Sequence, residues 1–372
     1  MSSLIYHRAE PQQKKDSYEQ FDTLDFNIDV GEGRVLVKNS VRLVADLAVL
    51  DNGVRNATFI HYDPRAGGHA FIDSIQTEFE GGSIAGGQKE NISNYARSVV
   101  MEETAMKCPE DALNASSVCE LKGYDGETAI LFSKGTATRN TTGASITGDT
   151  QFAIKLNNCL NKMSGGDLPY AKSGMVRVSI NLAPNSSALM GSALNNAQDS
   201  YTLKNPRLLY RSLPDNGKNG QTIMRTLYNT KNSFQSNFAN IQVRAPVVAD
   251  AVSVSFQKQS KEQTAPHSNY QMEKPRNINR VEFNFNNAVE RIAYPIEDLN
   301  EMNQRFIDSY LDTGHNRVGA DRRNDNTGFG VGISFGGLVN LENQTFGLQV
   351  SSSANNANPY NVYQYFHGVL VV

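Results

Sequence analysis

The side chains able to do chemistry are scattered along the chain. Hydrolysis by a nucleophile needs a Ser or Cys beside a His that a carboxylate orients. His61, His69, His267, His315 and His367 stand in unrelated contexts. Two histidines have a carboxylate close by, His61 with Asp63 and His69 with Asp73. Side chains two apart on a strand share a face, so His61 and Asp63 would meet; such neighbours are far more often satisfied surface or core groups than a catalytic pair. No H-x-H or H-E-x-x-H set for a metal is present. Asp321 and Asp325 lack the spacing and the closing Glu of a calcium loop. The glycine cluster GGSIAGG (81–87) lacks the Lys-Ser/Thr of a phosphate cradle and reads as a flexible turn. Carboxylate pairs for glycoside cleavage are non-local in a β fold, and the chain has no Trp to serve as a sugar platform, a role left to Tyr. The expectation is therefore a protein with no catalytic residues, no cofactor and no metal, and not an enzyme.

The composition agrees with a polar, weakly charged globular protein. The 372 residues suit two domains, with 39% hydrophobic residues, 20% charged residues and a formal net charge of −3. Such a balance provides no basic field for nucleic acid, and the doublets Lys14-Lys15 and Arg322-Arg323 read as solvated surface. Cys108, Cys119 and Cys159 stand at no metal-ligand spacing; their odd number argues for reduced thiols in a cytosolic assembly environment. Sequons such as Asn56-Ala57-Thr58 and Asn185-Ser186-Ser187 are expected by chance in a chain rich in Asn, Ser and Thr, with no signal peptide to expose them. No apolar run approaches the ~18 residues of a membrane span.

The elements that would have to position any site are organised about one seam. A strand-like run over 201–213 meets Pro214, Asp215, Asn216, Gly217, Lys218, Asn219 and Gly220, where Pro fixes φ and Asn and Gly accept positive φ. A second strand-like run begins at Thr222. Before the seam, residues 1–20 read as a polar N-terminal arm, disordered or ordered only against a neighbour. Strand patterns follow over 21–30, 34–37, 40–50, 59–62, 70–79, 118–121, 128–132, 152–156 and 174–182. A helix is predicted over 91–106, capped by Asn91 or Ser93, with a further helical turn at 109–113. After the seam, strands are predicted over 222–227, 238–243, 249–256, 281–286, 329–335, 338–341, 345–351 and 360–372, the last a core strand. A second helix is expected from Pro295 to Leu311, ended by Gly314, with Leu299, Met302, Phe306, Ile307, Tyr310 and Leu311 on one face that packs on its own sheet. Long polar loops lie at 135–150, 257–277 and 317–327. Many short strands at regular spacing with helices set into loops predict an all-β tandem of sandwiches.

The order and texture of three stretches, 67–95, 201–213 and 332–372, resemble the two halves of double jelly-roll major capsid proteins, the lineage of adenovirus hexon and the tailless membrane-containing phages. The resemblance implies a first jelly roll over 21–213, a linker over 214–221 and a second jelly roll over 222–372. It further implies a structural protein of an icosahedral virus, a subunit whose homotrimer has a pseudo-hexameric outline and tiles the shell. The expected partners are itself and neighbouring capsomers, penton and minor capsid proteins and an internal membrane beneath the shell, with no specific nucleic acid. The expected location is the virion, after assembly in the host cell interior. Loops 135–150 and 257–277 would be tower or inter-capsomer segments, and the arm would reach beneath neighbours. A vertex (penton) or minor capsid protein with a receptor- or glycan-binding role is the alternative that shares this texture.

Overall fold

The computed structural model describes residues 3–50, 60–63, 66–81, 89–105, 150–191, 199–218, 220–263, 269–286, 290–292, 294–310, 328–356 and 358–371. The first half supplies β1 (Ile5–Ala9), β2 (Thr23–Ile28), β3 (Arg34–Leu36), β4 (Arg42–Leu50) and β5 (Ile60–Tyr62). It continues with β6 (Ile72–Phe79), β7 (Lys89–Ile92) and helix α1 (Tyr95–Ala105), then β8 (Thr150–Lys155), β9 (Met163–Gly165) and β10 (Leu168–Pro169). The one-turn helices α2 (Tyr170–Ser173) and α3 (Asn185–Ala188) flank β11 (Val176–Leu182), and β12 (Leu189–Gly191) and β13 (Ser200–Pro214) close the half. The second half runs through β14 (Thr222–Phe234), β15 (Phe238–Val243), β16 (Val248–Lys258), β17 (Ile278–Phe285) and β18 (Glu290–Arg291). Helix α4 (Leu299–Asp308) follows, and β19 (Gly330–Asn340), β20 (Phe346–Ser352) and β21 (Tyr360–Val371) complete the chain.

The pairing of these strands defines two sandwiches with the same wiring. In the second half one sheet runs β14-β21-β16-β19 and the other β15-β20-β17-β18. Counted in chain order within the half, that is first-eighth-third-sixth and second-seventh-fourth-fifth. The first half repeats it when β3 and β4 are taken as one interrupted strand and the short strands β5, β9, β10 and β12 are set aside: β1-β13-β4-β8 and β2-β11-β6-β7. Each half is therefore a jelly roll, and the fold is the tandem expected from the sequence. Helices α1 and α4 also correspond, since each lies between the fifth and sixth strands of its roll.

Alternation explains the strands. In β11, Val176, Val178, Ile180 and Leu182 are buried and meet Leu24, Phe26 and Ile28 of β2 in one core. The seam behaves as its chemistry requires: Gly217 has φ +66°, and the Asp215 and Asn216 side chains accept from the Gly217 and Lys218 backbone N–H at 2.9 Å. Within β13 the register shifts between Lys204 and Arg207, because Pro206 has no N–H to give and Asn205 turns to φ +49°.

Several expectations need correction. Residues 1–20 are not free of structure: β1 lies antiparallel along β13, with Ile5 opposite Ser212, and Tyr18 is buried in the first core. Asn91 and Ile92 belong to β7, so the helix begins only at Tyr95, and Ser93 caps nothing; its hydroxyl reaches Asn229 of β14 at 2.9 Å. The second helix starts at Leu299, capped by the Asp298 side chain, which accepts from Asn300 and Glu301 N–H. The two patterns over 329–335 and 338–341 are one strand, β19, in which Phe335, Gly336, Gly337 and Leu338 bulge opposite Asp250. The strands predicted over 118–121 and 128–132, the turn at 109–113, the helix end at Leu311 and Gly314 and the loops over 135–149 and 317–327 lie outside the described residues.

The register also fixes the ends of the second roll. Phe234 and Lys258 both lie opposite Tyr360, and Phe238 and Ile278 face Ser351 and Ser352, so the turns after β14, β16 and β20 gather at one end, the upper. The turns after β15 and β19 gather at the lower end, where Val243 faces Phe346 and Val248 faces Asn340.

Candidate functional site: the seam between the two rolls

The central strands β21 and β16 of the sheet β14-β21-β16-β19 are buried on both faces, which is why the sequence of β21 reads as one apolar run. Val362 and Phe366 point into the second core, while Tyr363 and Tyr365 point the other way into a separate cluster. That cluster is shared by the two rolls. Ala66, Ala70, Ala96, Val100, Met101 and Ala105 come from the first, and Tyr270, Met272, Phe306, Tyr310, Tyr363 and Tyr365 from the second. Small side chains on one side and large rings on the other let the backbones approach closely. Helix α4 sits on the same face, where Phe306 occupies the space a Cβ on Gly330 would take, 2.6 Å from its ring.

A buried polar network crosses the apolar cluster. Arg97 of α1 is 2% exposed. Its guanidinium donates to the Gln257 side chain and to the backbone carbonyls of Asn269 and Gln271, all from the second roll. It also lies over the Tyr363 ring, 4.0 Å from the centroid. The Tyr363 hydroxyl donates to Glu262 at 2.5 Å, and Lys231 reaches the same carboxylate at 2.8 Å. Burial works to raise the Glu262 carboxyl, but hydrogen bonds from Lys231 and Tyr363 hold it below its ordinary value. Burial pushes the Tyr363 hydroxyl up. Such a network withstands its desolvation only when every member is partnered, as these are.

Two further ties join the rolls. The Tyr365 hydroxyl donates to the Asn94 carbonyl at 2.9 Å, just ahead of α1. Glu90 of β7, 4% exposed, accepts from the backbone N–H of Cys159 at 2.8 Å and of Leu227, on β14, at 3.3 Å. Burial pushes its carboxyl up to about 7. The Cys159 thiol is buried and free, and burial with the neighbouring Glu90 pushes it well above its ordinary value. Strand β9, from the first half of the sequence, pairs with Thr222, Ile223 and Met224 of β14 and so becomes the edge of the second roll's sheet.

The residues weighed for chemistry fall elsewhere or into this seam. His69 is fully buried, and its Nδ1 lies 2.9 Å from the Tyr95 hydroxyl, while Asp73 is exposed on β6. Asp63 is fully buried and accepts from the Asn269 backbone N–H at 2.9 Å, across the rolls. His61 lies on β5; His367 meets Ser253 at 2.9 Å within the second roll. Lys14 pairs with Glu10 and Lys15 with Asp22, as solvated surface. Cys108, Cys119, His267, His315, Asp321, Asp325 and Arg322-Arg323 lie outside the described residues, as do 82–87 of the glycine cluster. The loop over 257–277 is not a tower where it is described: Asn269, Tyr270, Met272 and Glu273 are buried, and Asn269 ties to Ser186 and Ser187 of the first roll. Arg97 and Glu90 were missed in the sequence because their partners are far along the chain, 69 residues or more away; the one local signal was a charged residue amid the apolar positions of α1.

No family model and no curated relative match this sequence. Solved structures do. The chain aligns over 100% of its length with 90% of the Faustovirus major capsid protein, at a TM-score of 0.64 and 8% identity. It aligns over 100% with 94% of a chain of the PBCV-1 virus capsid, at 0.61 and 12%. It aligns over 97% with 86% of the mavirus major capsid protein, at 0.54 and 10%. At these identities the likeness is one of fold: the chain follows the double jelly-roll arrangement of those proteins along its length.

Proposed function

We propose that this chain is a major capsid subunit of an icosahedral virus, acting as a homotrimer. The observation that carries the reading is the identical wiring of two rolls joined side by side over the full length of one chain. Two similar wedges per subunit make a trimer six-sided in outline, and such units tile a closed surface. The solved neighbours are capsid proteins, which supports a structural role rather than catalysis. The first roll runs from β1 to β13, the linker covers 214–221, and the second roll follows. Neighbouring capsomers are the main partners; penton and minor capsid proteins and a membrane beneath the shell are the others this role brings. The location is the virion, reached after assembly in the host cell interior.

Light scattering on the size-exclusion peak tests the reading. A mass three times the 40.9 kDa of one chain, with six-sided particles in negative stain, is expected. A monomer that persists at high concentration, or a five-fold ring, overturns it, the ring in favour of a vertex protein.

A further inference from the structure

At the lower end of the seam, where β7 meets β14 and β21, there is a cavity of about 400 Å3. One side of its wall is apolar, formed by Phe79 from the first roll and Leu227, Pro246, Val247, Val369 and Leu370 from the second, and Lys89, Asn91 and Thr226 make up a polar part. One buried acid lines it, Glu90, held by two backbone N–H groups. The cations nearby are engaged elsewhere. Lys162 pairs with Glu102 of α1 at 2.5 Å, and Lys89 with Glu78 of β6 at 2.5 Å. Among the described residues none forms an ion pair with Glu90. A carboxylate in such a place lacks a counter-ion, and its burial is costly until one arrives.

We propose that this cavity binds a primary ammonium group on a short aliphatic stem, with Glu90 as its counter-ion and the apolar side of the wall covering the stem. The ammonium donates to the carboxylate oxygens of a buried Glu90, where a charge-assisted bond is strong. A linear amine and a lysine side chain of a second polypeptide present the same group. The other titratable groups facing Glu90 are Cys159 from the turn beside it and Tyr95 at the start of α1; Glu342 stands at the cavity wall. Positive charge reaches Glu90 only from Lys162, which acts through space while paired with Glu102; Lys89 at the cavity wall is paired with Glu78. Since the Glu90 carboxyl is pushed up to about 7, cation binding strengthens as pH rises through neutrality.

Isothermal titration calorimetry on the full chain, at about pH 8 and about pH 6 to bracket the reference behaviour of a carboxyl raised towards neutrality, tests this. The probes are n-butylamine, n-butanol, putrescine and Nα-acetyl-lysine methylamide. Binding of n-butylamine but not n-butanol is expected, weaker at the lower pH, and reduced about tenfold or more by Glu90→Gln. Should that variant fail to fold, Leu370→Trp fills the cavity with Glu90 unchanged and is expected to abolish amine binding. Putrescine binding more tightly than the lysine derivative identifies a free amine as the occupant; the reverse order identifies a lysine side chain. Equal affinity for amine and alcohol, amine binding that survives both substitutions, or no amine binding at the higher pH overturns the proposal.

Discussion

The guanidinium carbon of Arg97 sits 4.0 Å from the Tyr363 ring centroid, so a helix of the first roll rests its charge on the central strand of the second. The same group answers two backbone carbonyls and the Gln257 side chain. Contacts of this kind are made only when both rolls are complete, so they couple the folding of one to the other.

Arg97→Ala strips the charge and takes the buried guanidinium's hydrogen bonds from the Gln257 side chain and the Asn269 and Gln271 carbonyls. A loss of about 3 kcal/mol or more is expected, from the loss of hydrogen bonds to a buried charged group. Arg97→Lys keeps a charge without the planar fork and should recover only part of it. Urea unfolding checks both, and a variant whose two rolls melt separately would mark the loss of coupling.

Glu90 makes stability depend on pH. Its folded pKa of about 7 stands above the 4.5 of an ordinary glutamate, so the folded state holds the proton more tightly. Its contribution is complete below about 4.5 and disappears as pH rises through about 7. Between those limits the difference in unfolding free energy between wild type and Glu90→Gln should change by an amount of order 3 kcal/mol, falling as pH rises. Denaturation midpoints across the window would detect it; parallel curves for the two proteins would refute it.

Gly330→Ala sets a methyl group into the Phe306 ring, 2.6 Å from its nearest atom. The helix must shift or the strand must bend, at a cost of about 1–3 kcal/mol. Phe306→Leu in the same chain should return part of the loss, a compensation visible in thermal melts and absent if the glycine were needed only for backbone freedom.

Deleting residues up to Glu10 removes β1, the stack of His7 on Tyr210 at 4.9 Å and the bond from His7 to Ser212. A dispensable arm would leave the melting temperature unchanged. Loss of an eighth of the jelly-roll wiring should lower it and expose the outer edge of β13, promoting association through that edge.

Local chemistry made the seam at 214–220 readable, because Pro, Asn and Gly dictate backbone angles without help from the rest of the chain. The terminal run was readable as a core strand because only a strand covered on both faces tolerates so many large apolar residues. β1 was not readable: it is an exposed edge, Tyr6 is 75% exposed, and no alternation marks it. Gly336 and Gly337 write a turn or a bulge with the same letters, and only the partner strand β16 decides between them. The seam residues Arg97, Glu90 and Tyr363 are ordinary in sequence; their meaning comes from groups brought together from distant parts of the chain, which periodicity does not encode.

Strand β9 adds itself to the edge of a sheet to which its stretch of sequence does not otherwise belong. Each half thereby holds the other by backbone hydrogen bonds as well as by side chains. Cutting the peptide at Asn216 would free a covalent joint and nothing else: the pieces stay clasped, and the subunit keeps its outline with its tether severed.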